Sequence, residues 1–339
     1  MLLLEVPTIS NLITTVGVRE FFAKLCTTLT EDFSQWQKFY KSSRHAIHVP
    51  HGVIELMPIC NEELYSFKYV NGHPNNPLSQ KLNIVAFGML ADVVTGYPLM
   101  IASMTLLTAM RTAAVSALSS RYLAKKNSCR VAIIGCGAQS EFQIIAHDVL
   151  FSLTHVYYYD IDAQAMQRFE RQLCNEPFQL MPAISIEQAV ADADIIITAT
   201  AAKGHHIILK QSYLHAGQHI CAIGGDSPGK TELDIEILKL NKIVVEYFAQ
   251  TVHEGEIQQL GDSASDYVYA ELWELISGVK SGRTNASEIT IFDSVGFALE
   301  DFSILRLCYQ LANELNLGRD IQLISHGLDD CKNLYGLIG

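Results

Sequence analysis

The chain has 339 residues, of which 49% are hydrophobic and 18% charged, and its formal net charge is −12. That length exceeds one ordinary hydrophobic core, so two domains are expected. The acidic balance leaves no basic stripe to neutralise phosphates, which argues against nucleic acid as a partner.

The eight cysteines contain no C-x-x-C pair and several sit inside apolar runs, which suits free thiols in a reducing compartment, by default the cytoplasm. The opening MLLLEVP lacks a basic leader and a cleavage site. The apolar stretch Asn83–Met110 is interrupted by Asp92, Gly96 and Pro98 and reads as no membrane span.

Residues 13–40 place Val16, Phe21, Phe22, Leu25 and Leu29 near helical spacing and predict one or two helices. Short strand-like runs follow at His45–His48, Val53–Met57, Tyr65–Val70, Ile84–Ala91 and Leu99–Met104. Turn signals such as Asn71-Gly72-His73-Pro74 divide them, and a largely antiparallel sheet is expected. Thr105–Lys125 reads as an Ala- and Leu-rich helix with one interior charge, Arg111.

From Cys129 onward strands and helices alternate. The strands are Arg130–Ile134, His155–Asp160, Asp194–Thr198, His219–Ile223 and Lys242–Tyr247; the helices are Ser140–Leu150, Ala163–Cys174, Ser185–Ala191 and Leu233–Leu240. This is the α/β pattern of a doubly wound parallel sheet of the Rossmann type. Ile289–Asp293 adds a further strand, and Gly296–Asn316 a long helix that returns the chain to the first domain, with Gly318 as its stop.

Val131–Ile134 runs straight into Gly135-Cys136-Gly137-Ala138-Gln139-Ser140, the join of a buried strand to a helix N-terminus that holds a pyrophosphate. Ser140 stands where the third glycine of G-x-G-x-x-G belongs; that glycine serves packing, and a small Ser partly replaces it. The next strand ends in Asp160, 25 positions after Gly135, where a carboxylate accepts from both ribose hydroxyls and repels a 2′-phosphate. NAD is therefore favoured over NADP. The bland alternative is a glycine turn in a non-nucleotide domain, with Asp160 as a helix cap.

Asp226 lies in Ile223-Gly224-Gly225-Asp226-Ser227-Pro228-Gly229-Lys230 after a strand of the same sheet, where ligands bind; taken alone it also suits an Asx-turn. Arg44, Glu55, Lys68 and Arg111 are isolated charges in apolar surroundings. Singly each reads as a surface group. Together they suit an amino acid with a carboxylate and a second amine, although spacing does not show that they converge. His205-His206 reads as a polar loop rather than a metal site, and His253-Glu254-Gly255-Glu256, which is not H-E-x-x-H, as a loop with exposed carboxylates. No G-x-S-x-G, P-loop or Cys–His arrangement supports hydrolysis or phosphoryl transfer.

Seven blocks now stand in order: HGVIELMP, FKYVNGHP, LTAMRTAA, IGCGAQSEFQ, IGGDSPGKTEL, EGEIQQL and FDSVGFALEDF. They resemble the ornithine cyclodeaminase/mu-crystallin family, from about Val6 to Asp330. The resemblance implies conversion of L-ornithine to L-proline and ammonia with NAD as cofactor. It also implies a homodimer built through the N-terminal sheet. Residues 1–120 with 297–339 would form a mixed α+β substrate-binding and dimerisation domain, and 121–296 the NAD-binding domain.

Arg44, Lys68 and Arg111 would hold the α-carboxylate, Glu55 the distal ammonium, and Val295 would touch substrate, while Asp226 would move protons. Gly135, Gly137, Ala138, Gln139, Asp160, Thr200, the run Ile220, Cys221, Ala222 and Ile223, Lys230 and Ser294 would serve NAD. Asn83 stands where the family's cofactor-contacting Thr is expected, and keeps a donor and an acceptor there. The alternatives are a lysine cyclodeaminase, an amino-acid dehydrogenase or ketimine reductase, and a non-enzymatic binding protein. Glu55 with Asp226 argues against the last, since binding needs no proton shuttle.

Overall fold

A computed structural model describes residues 1–200, 204–325 and 331–338; Asp330, where the family-like stretch ends, lies outside them. The first half begins with strand β1 (Leu2–Leu4) and helices α1 (Val6–Val16) and α2 (Val18–Ser34). Strands β2 (Tyr40–Lys41), β3 (His45–Val49), β4 (Gly52–Cys60), β5 (Leu64–Gly72), β6 (Ile84–Asp92) and β7 (Pro98–Ser103) follow, and helix α3 (Thr105–Leu123) closes this half.

The helical start differs from the span expected at 13–40. Pro7 occupies the first turn of α1, where its missing N–H costs nothing, and Gly17 at φ 89° separates α1 from α2. Strand β1, too short to show alternation, pairs parallel with β7. The other pairings from β2 to β7 are antiparallel, as expected.

The second half holds β8 (Arg130–Ile134), α4 (Ser140–Phe151), β9 (His155–Tyr159), α5 (Ala163–Leu173), β10 (Gln179–Pro182), α6 (Ile186–Val190) and β11 (Ile195–Thr198). It continues through β12 (His205–Leu209), β13 (His219–Ala222), β14 (Thr231–Leu233), α7 (Ile235–Leu240), β15 (Lys242–Val245), α8 (Phe248–Glu254), α9 (Ala264–Tyr267), β16 (Val268–Glu271), α10 (Leu272–Ile276) and β17 (Thr290–Asp293). Eight of these strands form one sheet in the order β10-β9-β8-β11-β13-β17-β15-β16, parallel throughout. The order turns back between β8 and β11, and the crevice at such a point is where an open α/β sheet binds ligands.

Thr231–Leu233 is a strand rather than the start of a helix. It pairs with β12, and α7 waits for Asp234, whose side chain caps it by accepting from Glu236 N. His205-His206 accordingly begins a strand rather than a loop.

Helix α11 (Ala298–Glu314) then returns to the first sheet, packing on α2 and β5. Strand β18 (Arg319–Asp320) finishes beside β1. Trp36 joins the two halves, with ring centroids 6.2 Å from Trp273 and 5.6 Å from Phe297. All eight cysteines are free. Among the described residues no helix is long and apolar enough to cross a membrane.

Candidate active site

The glycine loop is built by close approach of two strand ends. Gly135 has φ 102°, and a Cβ there would lie 2.5 Å from Ala199 O. Only glycine lets β8 and β11 end so near each other. At Gly137 a Cβ would meet nothing within 4 Å. Gly137 and Ala138 are exposed at the N-terminus of α4, a place that favours an anion.

Ser140 is buried and its hydroxyl donates to Gly137 O at 2.7 Å, so the loop is closed by a hydrogen bond in place of glycine packing. Asp160 is held in the mouth of the loop: its carboxylate accepts from Cys136 N at 2.7 Å and Asp162 N at 2.9 Å. The cap of α5 is Asp162, not Asp160. Gln139 Oε1 is buried with no partner. An open anion site, a fixed carboxylate and an orphaned acceptor together fit a dinucleotide.

Farther along the same edge, Thr200 N donates to Glu232 at 3.0 Å. Ile220, Cys221 and Ala222 are sealed inside the sheet, with the Cys221 thiol 3.2 Å from Ser120 of α3; Ile223 lies at the carboxyl end of this run.

The four isolated charges of the first half are buried or nearly so, not at the surface, and they converge. Lys68 projects from the inward face of β5, between Ser66 and Val70, and is 1% exposed. A lysine is tolerated there because α11 brings Asp301 to 2.9 Å. Arg111 meets Glu300 at 2.6 Å and Asp301 at 3.1 Å. Asp301 thus joins Lys68 to Arg111.

Arg44, just before β3, meets Glu55 of β4 at 3.2 Å and Glu254 at 3.1 Å, and donates to Val295 O at 2.6 Å and Gly296 O at 2.7 Å. The Arg111 guanidinium lies against Gly296, where a Cβ would fall 2.2 Å from Nη1. The loop of Ser294, Val295 and Gly296 therefore touches both arginines. Burial, reinforced by the charge of Arg111 and only partly offset by Asp301, pulls the Lys68 pKa down to about 8. Burial opposes the charges of Arg44 and Arg111 as well, but their carboxylates outweigh it and both stay raised.

Asp226 stands at the open edge, its side chain 49% exposed, and pairs with Lys230 at 3.0 Å. Lys230 is therefore engaged with Asp226 rather than turned out toward solvent. Asn83 does not join the cluster. It is exposed just before β6, its carbonyl accepts from His73 N, and among the described residues no hydrogen bond ties its side chain to the others.

The reading of His253–Glu256 as a loop with exposed carboxylates is overturned. Glu254 ends α8 and is 7% exposed, while Glu256 is fully buried. Glu256 accepts from Glu232 N and Leu233 N, so its burial is matched by hydrogen bonds. Burial pushes the Glu254 carboxyl up to about 7 against the pull of Arg44, and the charges of Glu55, Asp226 and Glu246 add to the rise.

Sequence reasoning passed over Glu246, Glu300 and Asp301, and placed Glu254 in an exposed loop. The available signal was position: Glu246 closes the apolar run of β15, and Glu300-Asp301 interrupts the apolar face of Phe297–Leu305.

The model of the family "Ornithine cyclodeaminase/mu-crystallin family" matches residues 7–316. The ornithine cyclodeaminase of Brucella suis biovar 1 is 47% identical over 328 residues, 97% of this chain and 90% of the relative. An archaeal alanine dehydrogenase dimer with bound NAD superposes with a TM-score of 0.89 at 31% identity, covering 96% of this chain and 99% of the other. A lysine cyclodeaminase, studied for its recognition of L-lysine, L-ornithine and L-2,4-diaminobutyric acid, superposes with a TM-score of 0.91 at 28% identity, covering 99% of each chain.

Proposed function

The chain belongs to the ornithine cyclodeaminase/mu-crystallin family, and within it we propose that the protein is an NAD-dependent ornithine cyclodeaminase converting L-ornithine to L-proline and ammonia. One observation carries this reading: Arg44, paired with Glu55 and Glu254, and Arg111, joined to Lys68 through Asp301, both lie against the loop of Val295 and Gly296, which follows a strand of the dinucleotide sheet. That is a site for a molecule bearing a carboxylate and more than one amine.

The three cations bind the α-carboxylate and fix the α-carbon, and such orientation is a large share of catalytic acceleration. Glu55 takes the distal ammonium. Gly135, Gly137, Ala138, Gln139, Asp160, Thr200, the run Ile220–Ile223, Lys230, Ser294 and Asn83 serve the cofactor. Held there, NAD would supply reversible hydride chemistry at the α-carbon. Asp226, half-exposed at the edge of the sheet, takes a proton from the distal ammonium, and the freed amine attacks the α-carbon. Ammonia leaves with a proton returned by the same carboxyl.

The test is L-ornithine with substoichiometric NAD⁺. Proline and ammonia in excess of the cofactor, with no net NADH, are the expected products. Accumulating NADH would identify a dehydrogenase or reductase instead, pipecolate formed preferentially from L-lysine a lysine cyclodeaminase, and ligand binding without ammonia a binding protein.

Residues 1–120 with 297–339 are read as the substrate and dimer half, and 121–296 as the NAD half. The outward face of the first sheet supports a homodimer. Leu56, Tyr69 and Phe87 lie in one row across β4, β5 and β6, with Leu56 39% and Phe87 42% exposed. A cytoplasmic location suits eight free thiols.

A further inference from the structure

Glu246 follows β15 and is fully buried. One carboxylate oxygen accepts from Ser294 Oγ at 2.5 Å; the other accepts from Val295 N and Gly296 N, both at 2.9 Å. The carbonyls of Val295 and Gly296 receive Arg44 Nη2 at 2.6 and 2.7 Å. The Val295–Gly296 peptide group is therefore held between the carboxylate at its N–H and the guanidinium at its C=O, and the peptide groups before and after it are each anchored at one end. Gly296, at φ 79°, also presents its bare Cα to Arg111.

We propose that Glu246 is the positioning residue of the substrate clamp: it fixes the Ser294–Gly296 loop, and through that loop sets Arg44 and Arg111 against the cofactor side of the site. This rests on the reading of Arg44 and Arg111 as carboxylate ligands. What Glu246 supplies to Arg44 is a two-pronged acceptor at a fixed reach, acting through the loop; Arg111 also feels its charge, directly and through Glu300.

Reach and charge are separable. Glu246→Gln keeps an amide oxygen for both backbone donors and turns its NH₂ to Ser294 Oγ, which accepts; the charge is gone and the geometry stays. Glu246→Asp keeps the charge but withdraws the acceptor by about 1.5 Å, one C–C bond.

The experiment uses the full chain in both variants, with Glu246→Ala as a third. Steady-state proline formation is measured beside hydrogen exchange of the peptide spanning Ser294–Phe297 without ligands. Glu246→Gln is expected to keep the KM for L-ornithine within about threefold and to keep the peptide protected. Glu246→Asp and Glu246→Ala are expected to raise KM by about tenfold or more, with a smaller fall in kcat, and to speed exchange in that peptide alone.

The reverse order, with Asp near wild type and Gln impaired, overturns the proposal. So does wild-type KM in folded Glu246→Asp, because a merely structural residue changes the yield of folded protein and not the KM. Wild-type protein that makes no proline refutes the functional reading instead; the ligand-free exchange rates then still decide whether Glu246 holds the loop.

Discussion

Replacing Lys68 by methionine separates a binding role from a structural one. The ammonium is 1% exposed, with Asp301 as its ion-pair partner at 2.9 Å. Burial and the neighbouring Arg111 bring its pKa from 10.5 to about 8 in spite of that partner. At about 1.4 kcal/mol per unit, keeping the charge in the folded state at pH 7 costs on the order of 3 kcal/mol.

Methionine has similar bulk and relieves this cost. Asp301 retains Arg111 Nε at 3.1 Å, so no buried carboxylate is stranded. The folded pKa lies below the unfolded one, so the penalty is complete below pH 8 and vanishes as the pH rises from 8 to 10.5. Urea unfolding at pH 7 should find Lys68→Met as stable as wild type, or up to about 2 kcal/mol more stable. The gap should close by pH 10.5.

The KM for L-ornithine should rise about 30-fold, the worth of one charge-assisted hydrogen bond of about 2 kcal/mol to the substrate carboxylate. Wild-type kcat/KM should fall above pH 8 as Lys68 loses its proton. A variant destabilised by several kcal/mol whose KM is unchanged would make Lys68 a structural ion-pair partner and refute the reasoning.

Asp226→Asn should abolish proline formation by at least about 100-fold while NAD affinity, measured by calorimetry, stays within about threefold, because the carboxyl moves protons at an exposed edge. Near-normal turnover would remove Asp226 from that role. Glu55→Gln should raise the KM for L-ornithine about tenfold or more while L-norvaline, which lacks the distal amine, binds at least as tightly as before; equal losses for both ligands would assign Glu55 to holding Arg44. Asp160→Ala should weaken NAD about tenfold and narrow its advantage over NADP, as read by equilibrium titration of each cofactor. Unchanged preference would mean that Asp160 serves only to accept from Cys136 N and Asp162 N.

The dinucleotide sheet was legible because its inner strands are largely apolar runs and four of them, β8, β9, β15 and β17, are followed by a helix, and local patterning of that kind survives in a single sequence. Its edge strands β10 and β16 were not, since QLMP and VYAE mix polar residues or proline into four positions and lack the unbroken apolar run of the inner strands. The placement of the glycine loop and Asp160 was readable for the same local reason: each sits at a strand end.

The buried charge cluster is different in kind. Lys68 and Asp301 lie 233 positions apart and Arg44 and Val295 lie 251 apart, so nothing local announces their pairing. What the sequence offers is only the anomaly of a charge within an apolar strand or helix. Glu254 was misread because Gly255 and its neighbouring polar residues imitate a loop, whereas α8 turns that carboxylate inward against Arg44.

The pairing of charges in the ligand-free site bears on selectivity. Each cation of the clamp already has carboxylate partners: Arg44 has Glu55 and Glu254, Lys68 has Asp301, and Arg111 has Glu300 and Asp301. A substrate carboxylate therefore enters a site whose positive charges are spoken for, and each new contact must compete with one already made. A diamino acid resolves this competition internally. With the roles proposed for Glu55 and Arg44, its distal ammonium becomes the partner of Glu55, which loosens the hold of Glu55 on Arg44, and Arg44 is freed toward the carboxylate of the same molecule. A monoamino acid brings the anion without the replacement cation, leaving Glu55 to contest Arg44 with the ligand. Preference for a diamine then arises from an exchange of partners across Arg44, as well as from the direct contact with Glu55.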